Sequence, residues 1–479
     1  MKSHLFVYAA LAFLSTVASA QDVRVFVTSK AGDRLTEKAR LRFENKQPSA
    51  AGATFTIEPG KRLQQIDGFG ASFLEAGMIC VNSLAAADQE RLFEAIFDPA
   101  KGAGFSAMKT VQAGTDFMSA GPWYTYDDTP GDTGMQHFSI ARDLAPNGLI
   151  PYIKRARKYG SFRLQAPMDY PPDWMLVDLN KNQDVNPKFF DALALYQVRY
   201  LQEYAKQGIE IDYLDPFNEP GIYTKIPYAK IAVYVRDHLG PKLEKSGLKT
   251  RIQLTDFNNR EAFLKAVDET MGDAAFRKYV ASLAYHAYGF NNFDNVKRIH
   301  ERYPGLPVWM TEVCHAYYTD TKRGQPLPRY DYEDGHFWGT QIFNDLDSGA
   351  AAWIYWNLIV DETGGPWLVS PIHGNPEDNG QQPLVVVDRK QKKVTYLPGF
   401  YYLAHFSKFV RPGSWLLTAT GRTDGIRVLA FASADGETVA EVLNSRTEES
   451  IVSLQIGGRT LRVPLAPLSI TTCTWRQPR

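Results

Sequence analysis

Eight short apolar runs, separated by stretches with helical spacing, constrain this chain more than any other feature. The runs are QIDGFGASF (65–73), GFSAMKTVQ (104–112), SFRLQAP (161–167), DYLDPFN (212–218), TRIQLTD (250–256), ASLAYHAY (281–288), LPVWMTE (306–312) and AAAWIYWN (350–357). Helical patterns lie among them in AAADQERLFEAIFD (85–98), KFFDALALYQVRYLQEYAKQG (188–208), EAFLKAVDETMG (261–272) and GHFWGTQIFNDLDSG (335–349). Strands of this length alternating with helices build parallel sheets, because each crossover must carry the chain back to the same edge. Eight such units imply a closed (β/α)8 barrel. An open doubly wound sheet is the structural competitor. A Gly-rich phosphate loop would support it, and neither G-x-G-x-x-G opening a helix nor G-x-x-x-x-G-K-[ST] occurs.

The pattern changes near Arg411. SWLLTAT, IRVLAFAS, TVAEVLN, SIVSLQIG, TLRVPLA and SITTCTW follow one another as short alternating strands between turns, which reads as a β-sandwich. DVRVFVTS and ATFTIEPG, ahead of the barrel, have the same character and are expected to join it. The expected organisation is residues 1–20 as a signal peptide, 21–60 as N-terminal strands of the sandwich, 61–405 as the barrel and 406–479 as the C-terminal sandwich. Lys2, the apolar run Leu5 to Leu14 and Ala18-Ser19-Ala20 form a secretory signal pattern with cleavage after Ala20, so a secreted or periplasmic protein is expected. The apolar run is too short to span a bilayer, and no other stretch reaches that length without charges. The mature chain should be soluble.

Two carboxylates stand at strand ends. Glu219 follows the fourth run in IDYLDPFNEPGIY, and Glu312 closes the seventh in VWMTEVCHAY. In a (β/α)8 barrel the side chains that do chemistry sit at the C-terminal ends of strands. Strands four and seven face each other across the mouth. A facing pair of carboxyl groups is what glycoside hydrolysis needs: one protonates the leaving oxygen, the other attacks the anomeric carbon or activates water.

Several long motifs in the same order extend this reading. DGFGASFLEAG (67–77), TDFMSAGPWYTYDDTPGDTGMQHFSI, DPFNEP, YHAYG, TEVCHA, WIYWNLIVDETGGP and FYYLAHFSKFVRPGS together resemble glycoside hydrolase family 30, a family of retaining β-glycosidases that includes glucosylceramidase. The resemblance implies Glu219 as general acid/base and Glu312 as nucleophile, with the carboxyl groups about 5–5.5 Å apart. With Glu312 ionised, a second charge beside it is disfavoured and Glu219 keeps its proton; once the glycosyl ester forms, that charge is gone and Glu219 can act as base. It further implies Asn218 at the sugar 2-hydroxyl, Asp116 at the distal hydroxyls, His286 and Tyr288 flanking the carboxylates, and Trp356 against the sugar beside Asn357. Trp123, in the loop after Asp116, is expected to line the mouth.

One segment departs from the family. Where a Ser-Pro-Trp run is usual, with the tryptophan walling the sugar subsite, this chain reads QAPMDYPPDWM. Met168 stands at the tryptophan's place, Asp169 follows, and both are expected to shape a wider and more polar subsite. The loop WLVSPIHGNPEDNGQQPLVVVD is also longer than usual; Asn375 or Asn379 are candidates for the family's loop asparagine.

Other chemistries fit less well. Lys+Arg and Asp+Glu are equal at 53 each, so no overall field would draw nucleic acid. The chain lacks H-E-x-x-H and G-x-S-x-G, and its His residues are not at metal-ligand spacing, so no metal or cofactor is expected. Cys80, Cys314 and Cys473 make no disulfide framework. Cys314, close to Glu312, suits buried structure better than a reactive thiolate. The expected partner is a carbohydrate or glycoside, with oligomeric state unknown. The expected activity is hydrolysis of β-glucosides; the alternatives are another family-30 substrate (β-1,6-glucan, xylan or a β-xyloside) or a non-catalytic carbohydrate-binding barrel.

Overall fold

All eight apolar runs become strands of one closed parallel barrel. A computed structural model describes residues 22–45, 53–118, 121, 123–178, 184–222, 224–316, 327–366, 380–421 and 423–476. The signal-peptide expectation and the Asn375 and Asn379 candidates lie outside the described residues. Three strands come before the barrel: β1 (Asp22–Ser29), β2 (Thr36–Arg42) and β3 (Ala53–Gln65). The barrel is β4 (Gly68–Ser72), β5 (Ala107–Lys109), β6 (Arg163–Pro167), β7 (Tyr213–Asp215), β8 (Arg251–Phe257), β9 (Val280–His286), β10 (Val308–Glu312) and β11 (Ala350–Asp361). Consecutive strands pair in parallel, and both β4 and β10 pair with β11, which closes the ring.

The strand repeat of two sorts the barrel interior into layers. Ala107, Tyr213, Trp309, Ala351, Ala352 and Ile354 form one small apolar cluster. Two residues further along their strands come Lys109, Thr311 and Trp356, so the same inward face turns from apolar to polar on the way to the mouth. The much larger apolar cluster fills the space between strands and helices. The helix Phe190–Lys206 shows the usual reason: Leu193, Tyr196, Tyr200, Leu201 and Tyr204 recur at helical spacing and are buried, and the helix ends before Gly208 (φ +74°).

β12 (Pro383–Asp388) and β13 (Lys393–Tyr396) extend the barrel sheet beside β11. β14 (Trp415–Thr420), β15 (Ile426–Ala432), β16 (Glu437–Asn444), β17 (Ser450–Ile456), β18 (Arg459–Leu465) and β19 (Ser469–Arg476) join β1–β3 in a second, nine-stranded sheet. Its order is β18-β17-β3-β14-β15-β16-β19-β1-β2, around a separate core that includes Val25, Phe55, Val442, Leu454 and Trp475. The N-terminal strands are therefore integral to it: β3 sits between β14 and β17, and β1 pairs with β19.

The helix Pro398–Phe409 joins the two parts. His405 bonds Thr472 and Thr28 of the second sheet at 2.6 and 2.9 Å. Lys408 donates to the carbonyls of Ala100 and Gly102, and Arg411 to those of Gly104 and Ser407. These basic residues tie the end of that helix to the barrel loop 100–104. The three cysteines are buried and unpaired. Among the described residues no helix is long and apolar enough to cross a membrane.

Candidate active site

Two local irregularities aim the carboxylates. β7 stops at Asp215, and the chain turns through Pro216 to Pro220. Glu219 takes φ +44°, a conformation that costs a non-glycine residue on the order of 1–3 kcal/mol. Its N–H donates to Asp256 O at 2.8 Å, its carbonyl accepts from Ile222 N at 2.9 Å, and Gly221 follows at φ +98°. That tight turn brings the Glu219 side chain to the His286 and Asn258 side chains. In β10 Trp309 and Thr311 face the barrel interior, so strict alternation would point Glu312 outward. The β9–β10 register shifts between Met310 and Glu312, and this bulge turns Glu312 into the mouth.

The carboxylates meet over a shared set of donors. Glu219, His286 and Glu312 each place one polar atom within 4.8 Å of the other two. His286 Nδ1 lies 2.7 Å from Glu219 Oε1 and 3.6 Å from Glu312 Oε1. Asn258 Nδ2 donates to Glu219 Oε1 at 2.8 Å, and Tyr288 OH donates to Glu312 Oε1 at 2.9 Å. Lys109 Nζ, fully buried at the end of β5, donates to Glu312 Oε2 at 2.7 Å, Asp256 Oδ2 at 3.0 Å and Asn218 Oδ1 at 3.2 Å. The Asp256 carboxylate also accepts from Gln165 and Thr311 at 2.7 and 2.6 Å.

Buried charges survive here because each is paired. Burial works against the Lys109 ammonium, but Asp256 and Glu312 outweigh it and hold the group above its ordinary range. Burial would raise Asp256; Lys109 and His286 overcome it and keep Asp256 well below the carboxylate range. His286 loses ground to burial and to Lys109, 3.3 Å from Nε2, yet Glu312, Asp256 and Glu219 hold it up at about 9. Burial and then Glu312 push the Cys314 thiol well up, so it is no thiolate nucleophile.

The remaining expected residues divide. Asp116 accepts from Gln381 Nε2 at 3.2 Å, and Gln381 Oε1 accepts from Asn357 Nδ2 at 2.7 Å, which links both to this mouth. Lys109 Nζ lies 5.0 Å from the Trp356 ring centroid. Trp123 packs edge-on against Tyr170, ring centroids 4.2 Å apart, in the loops beside the mouth. Met168 is not brought to the carboxylates. It is fully buried, its Sδ lies 3.9 Å from Gln197 Nε2 on the helix Phe190–Lys206, and its carbonyl accepts from Asn218 N at 2.8 Å. Asp169 is also buried, and burial first and then the neighbouring charges of Asp116, Glu312 and Glu219 push its carboxyl well up against the pull of Lys109.

Lys109, Asp256, Asn258 and Gln381 were not singled out by sequence. A lysine at the end of the apolar run GFSAMK is the one available signal among them, since a charge there has to be paired. Glu219, His286 and Glu312 are also the group whose donor atoms could chelate a cation among the described residues. The Lys109 ammonium and the protonated His286 already supply positive charge there.

The family model described as the glycosyl hydrolase family 30 TIM-barrel domain matches residues 66–410. The chain belongs to glycosyl hydrolase family 30. It is a glycoside hydrolase, and its barrel plus second sheet is the family-30 fold. Among family-30 relatives it is 26% identical over 455 residues to the lysosomal acid glucosylceramidase of Mus musculus, covering 90% of this chain and 84% of that one. It is 27% identical over 425 residues to an endo-1,6-β-D-glucanase of Neurospora crassa, covering 84% and 83%. A solved endo-β1,6-glucanase superposes with a TM-score of 0.83 at 24% identity, over 95% of this chain and 99% of that one, and so has the same fold.

Proposed function

We propose that this family-30 enzyme is a secreted retaining β-glycosidase acting on β-glucosides or closely related β-glycosides. One observation carries the reading: carboxylate oxygens of Glu219 and Glu312 lie within 4.8 Å of each other, from opposite sides of the barrel mouth. Inverting enzymes need about 6.5–9.5 Å between the two carboxyl groups to admit a water, while retaining enzymes have about 5–5.5 Å.

In the first step Glu312 attacks the anomeric carbon from the α face, and Glu219 gives its proton to the departing oxygen. The C–O bond to the aglycone breaks as the glycosyl ester forms. Lys109 and Tyr288 hold one oxygen of Glu312 each, so the carboxylate enters the reaction already oriented. In the second step Glu219 takes a proton from water, which attacks the same carbon from the β face and releases Glu312. The 2.7 Å contact with His286 gives Glu219 a partner with which to share a proton in both steps. On this reading Asn218, held by Lys109, meets the 2-hydroxyl and Asp116 the distal end of the sugar, as the family resemblance implies.

A β-1,6-glucan substrate is the second reading, favoured by the likeness to the Neurospora crassa enzyme. The test is a panel of aryl β-glycosides with the product anomer followed by proton NMR, then β-glucosides and β-1,6-glucan. First release of the β anomer supports the proposal. First release of the α anomer, or no turnover of any of them, overturns it.

A further inference from the structure

β7 ends in a carboxyl group that the proposed mechanism leaves unused. Tyr213 belongs to the inward apolar cluster. The strand repeat of two puts Asp215 on the same inward face, in the polar layer that also holds Lys109 and Thr311. Asp215 is fully buried. Its Oδ1 accepts from Phe217 N at 3.3 Å, and its enclosed Oδ2 meets no hydrogen-bond donor among the described residues.

The donors of this layer are committed elsewhere. Lys109 Nζ is divided among Glu312, Asp256 and Asn218. Gln165 Nε2 and Thr311 Oγ1 donate to Asp256, and Gln112 Nε2 donates to the carbonyls of Ala166 and of Asp215 itself. The charges also balance without Asp215. Lys109 of β5 and the imidazolium of His286 on β9 are met by Asp256 of β8 and Glu312 of β10, while Glu219, in the turn after β7, carries the catalytic proton. One more carboxylate there would be a buried charge with neither a donor nor a counterion of its own. A proton on Oδ2 removes both costs, because the orphaned acceptor becomes a donor. Its partner is Asp256, the carboxylate in side-chain hydrogen-bond contact with Asp215. Burial first, and then the Asp256 charge, push the Asp215 carboxyl well up against the pull of Lys109.

We propose that Asp215 is a positioning residue, a neutral carboxylic acid that donates from Oδ2 to Asp256 and fixes it as the charged acceptor for Lys109 and His286. Asp256 Oδ2 lies 3.0 Å from Lys109 Nζ and 3.5 Å from His286 Nε2. Lys109 in turn holds Glu312, and His286 holds Glu219. One fixed carboxylate thus orients both reacting groups. That role in catalysis rests on the retaining reading; the shared proton does not.

The experiment compares wild type with Asp215→Asn, which keeps a donor to Asp256, and with Asp215→Leu, which has a similar shape and no donor. On an aryl β-glucoside Asp215→Asn should lose no more than about threefold in kcat, whereas Asp215→Leu should lose at least about tenfold in kcat with KM within about threefold. Difference infrared spectra at neutral pH read the proton itself: wild type should show a protonated-carboxyl stretch that is missing in Asp215→Asn. Linkage gives a second reading. The folded value lies above the ordinary 3.8, so the folded chain binds this proton more tightly than the unfolded one, and the stabilisation it brings is lost as pH rises above 3.8. Asp215→Asn has no such proton and should gain on wild type by about tenfold in the folding equilibrium constant for each pH unit between about 5 and 8. No difference band, or no gain with pH, would show an ionised Asp215 and overturn the proposal. So would full activity in Asp215→Leu, or an asparagine variant as slow as the leucine one. A protein inert toward every β-glycoside that still shows the band and the gain with pH would refute the retaining reading alone. The infrared and stability arms need only Asp215→Asn, and they decide the case if Asp215→Leu does not fold.

Discussion

Lys109 Nζ donates to Glu312 Oε2 at 2.7 Å from a fully buried position at the end of β5, across the barrel from β10. The ammonium binds Glu312, Asp256 and Asn218 at once and so ties the proposed nucleophile to the residue beside the proposed general acid. Removing one partner of such a pair leaves the others uncompensated, at a cost of about 3–5 kcal/mol. Lys109→Met should therefore lose at least about a hundredfold in kcat/KM, equivalent to about 2.7 kcal/mol of barrier. Lys109→Arg keeps the charge and should recover part of that loss. Steady-state kinetics on an aryl β-glycoside decide it: a fully active methionine variant would remove Lys109 from the account.

His286 makes stability depend on pH. Its folded value, about 9, lies above the ordinary 6.5, so the folded protein binds this proton more tightly than the unfolded chain does. The contribution is complete below about 6.5 and is lost as pH rises through about 9. Urea unfolding of wild type against His286→Gln should show the wild-type advantage shrinking by on the order of 3 kcal/mol over that window. A difference that stays constant with pH would show that His286 is not protonated in the folded state.

Asp116 should read the distal end of the sugar. Asp116→Ala should reduce kcat/KM on glucosides more than on xylosides, which lack the hydroxymethyl arm. The lost charge-assisted bond is worth about 1.5–3 kcal/mol. Equal losses on the two substrates would mean that Asp116 contacts another part of the molecule or only steadies Gln381.

Met168→Trp is expected to damage the core and leave specificity alone. Met168 is fully buried against Gln197, so a larger ring must displace its neighbours, and overpacking of this kind costs about 1–3 kcal/mol. Tm should fall, while the glucoside-to-xyloside ratio of kcat/KM stays within about twofold. A tenfold change in that ratio with unchanged stability would place residue 168 at the sugar after all.

The parts of this molecule written as periodicity were legible in its sequence. Eight apolar runs became the eight barrel strands, and DVRVFVTS and ATFTIEPG joined the second sheet because their alternation matches one buried face. The positions of Glu219 and Glu312 were legible because both stand at strand ends. What aims them was not. The positive φ of Glu219 and the register shift before Glu312 are single-residue events that leave periodicity untouched. Lys109 and Asp256 come from strands β5 and β8, and only closure of the barrel brings them to one ion pair. The departure at Met168 and Asp169 was visible as a change of residue type. Which of the two turns into the core depends on the local chain path, and in the structure Met168 packs there against Gln197.

The central claim is the division of labour between Glu312 and Glu219, and azide rescue tests it most directly. In Glu312→Gly the cavity left by the nucleophile admits azide on the α face, so added azide should restore turnover of an activated aryl β-glycoside and yield the α-glycosyl azide. In Glu219→Ala the glycosyl ester on Glu312 still forms, and azide should release it from the opposite face as the β-glycosyl azide. NMR of the two products gives their configuration. An α product from Glu312→Gly and a β product from Glu219→Ala is the result expected here; the reverse pairing, or full activity in either variant without azide, would contradict it.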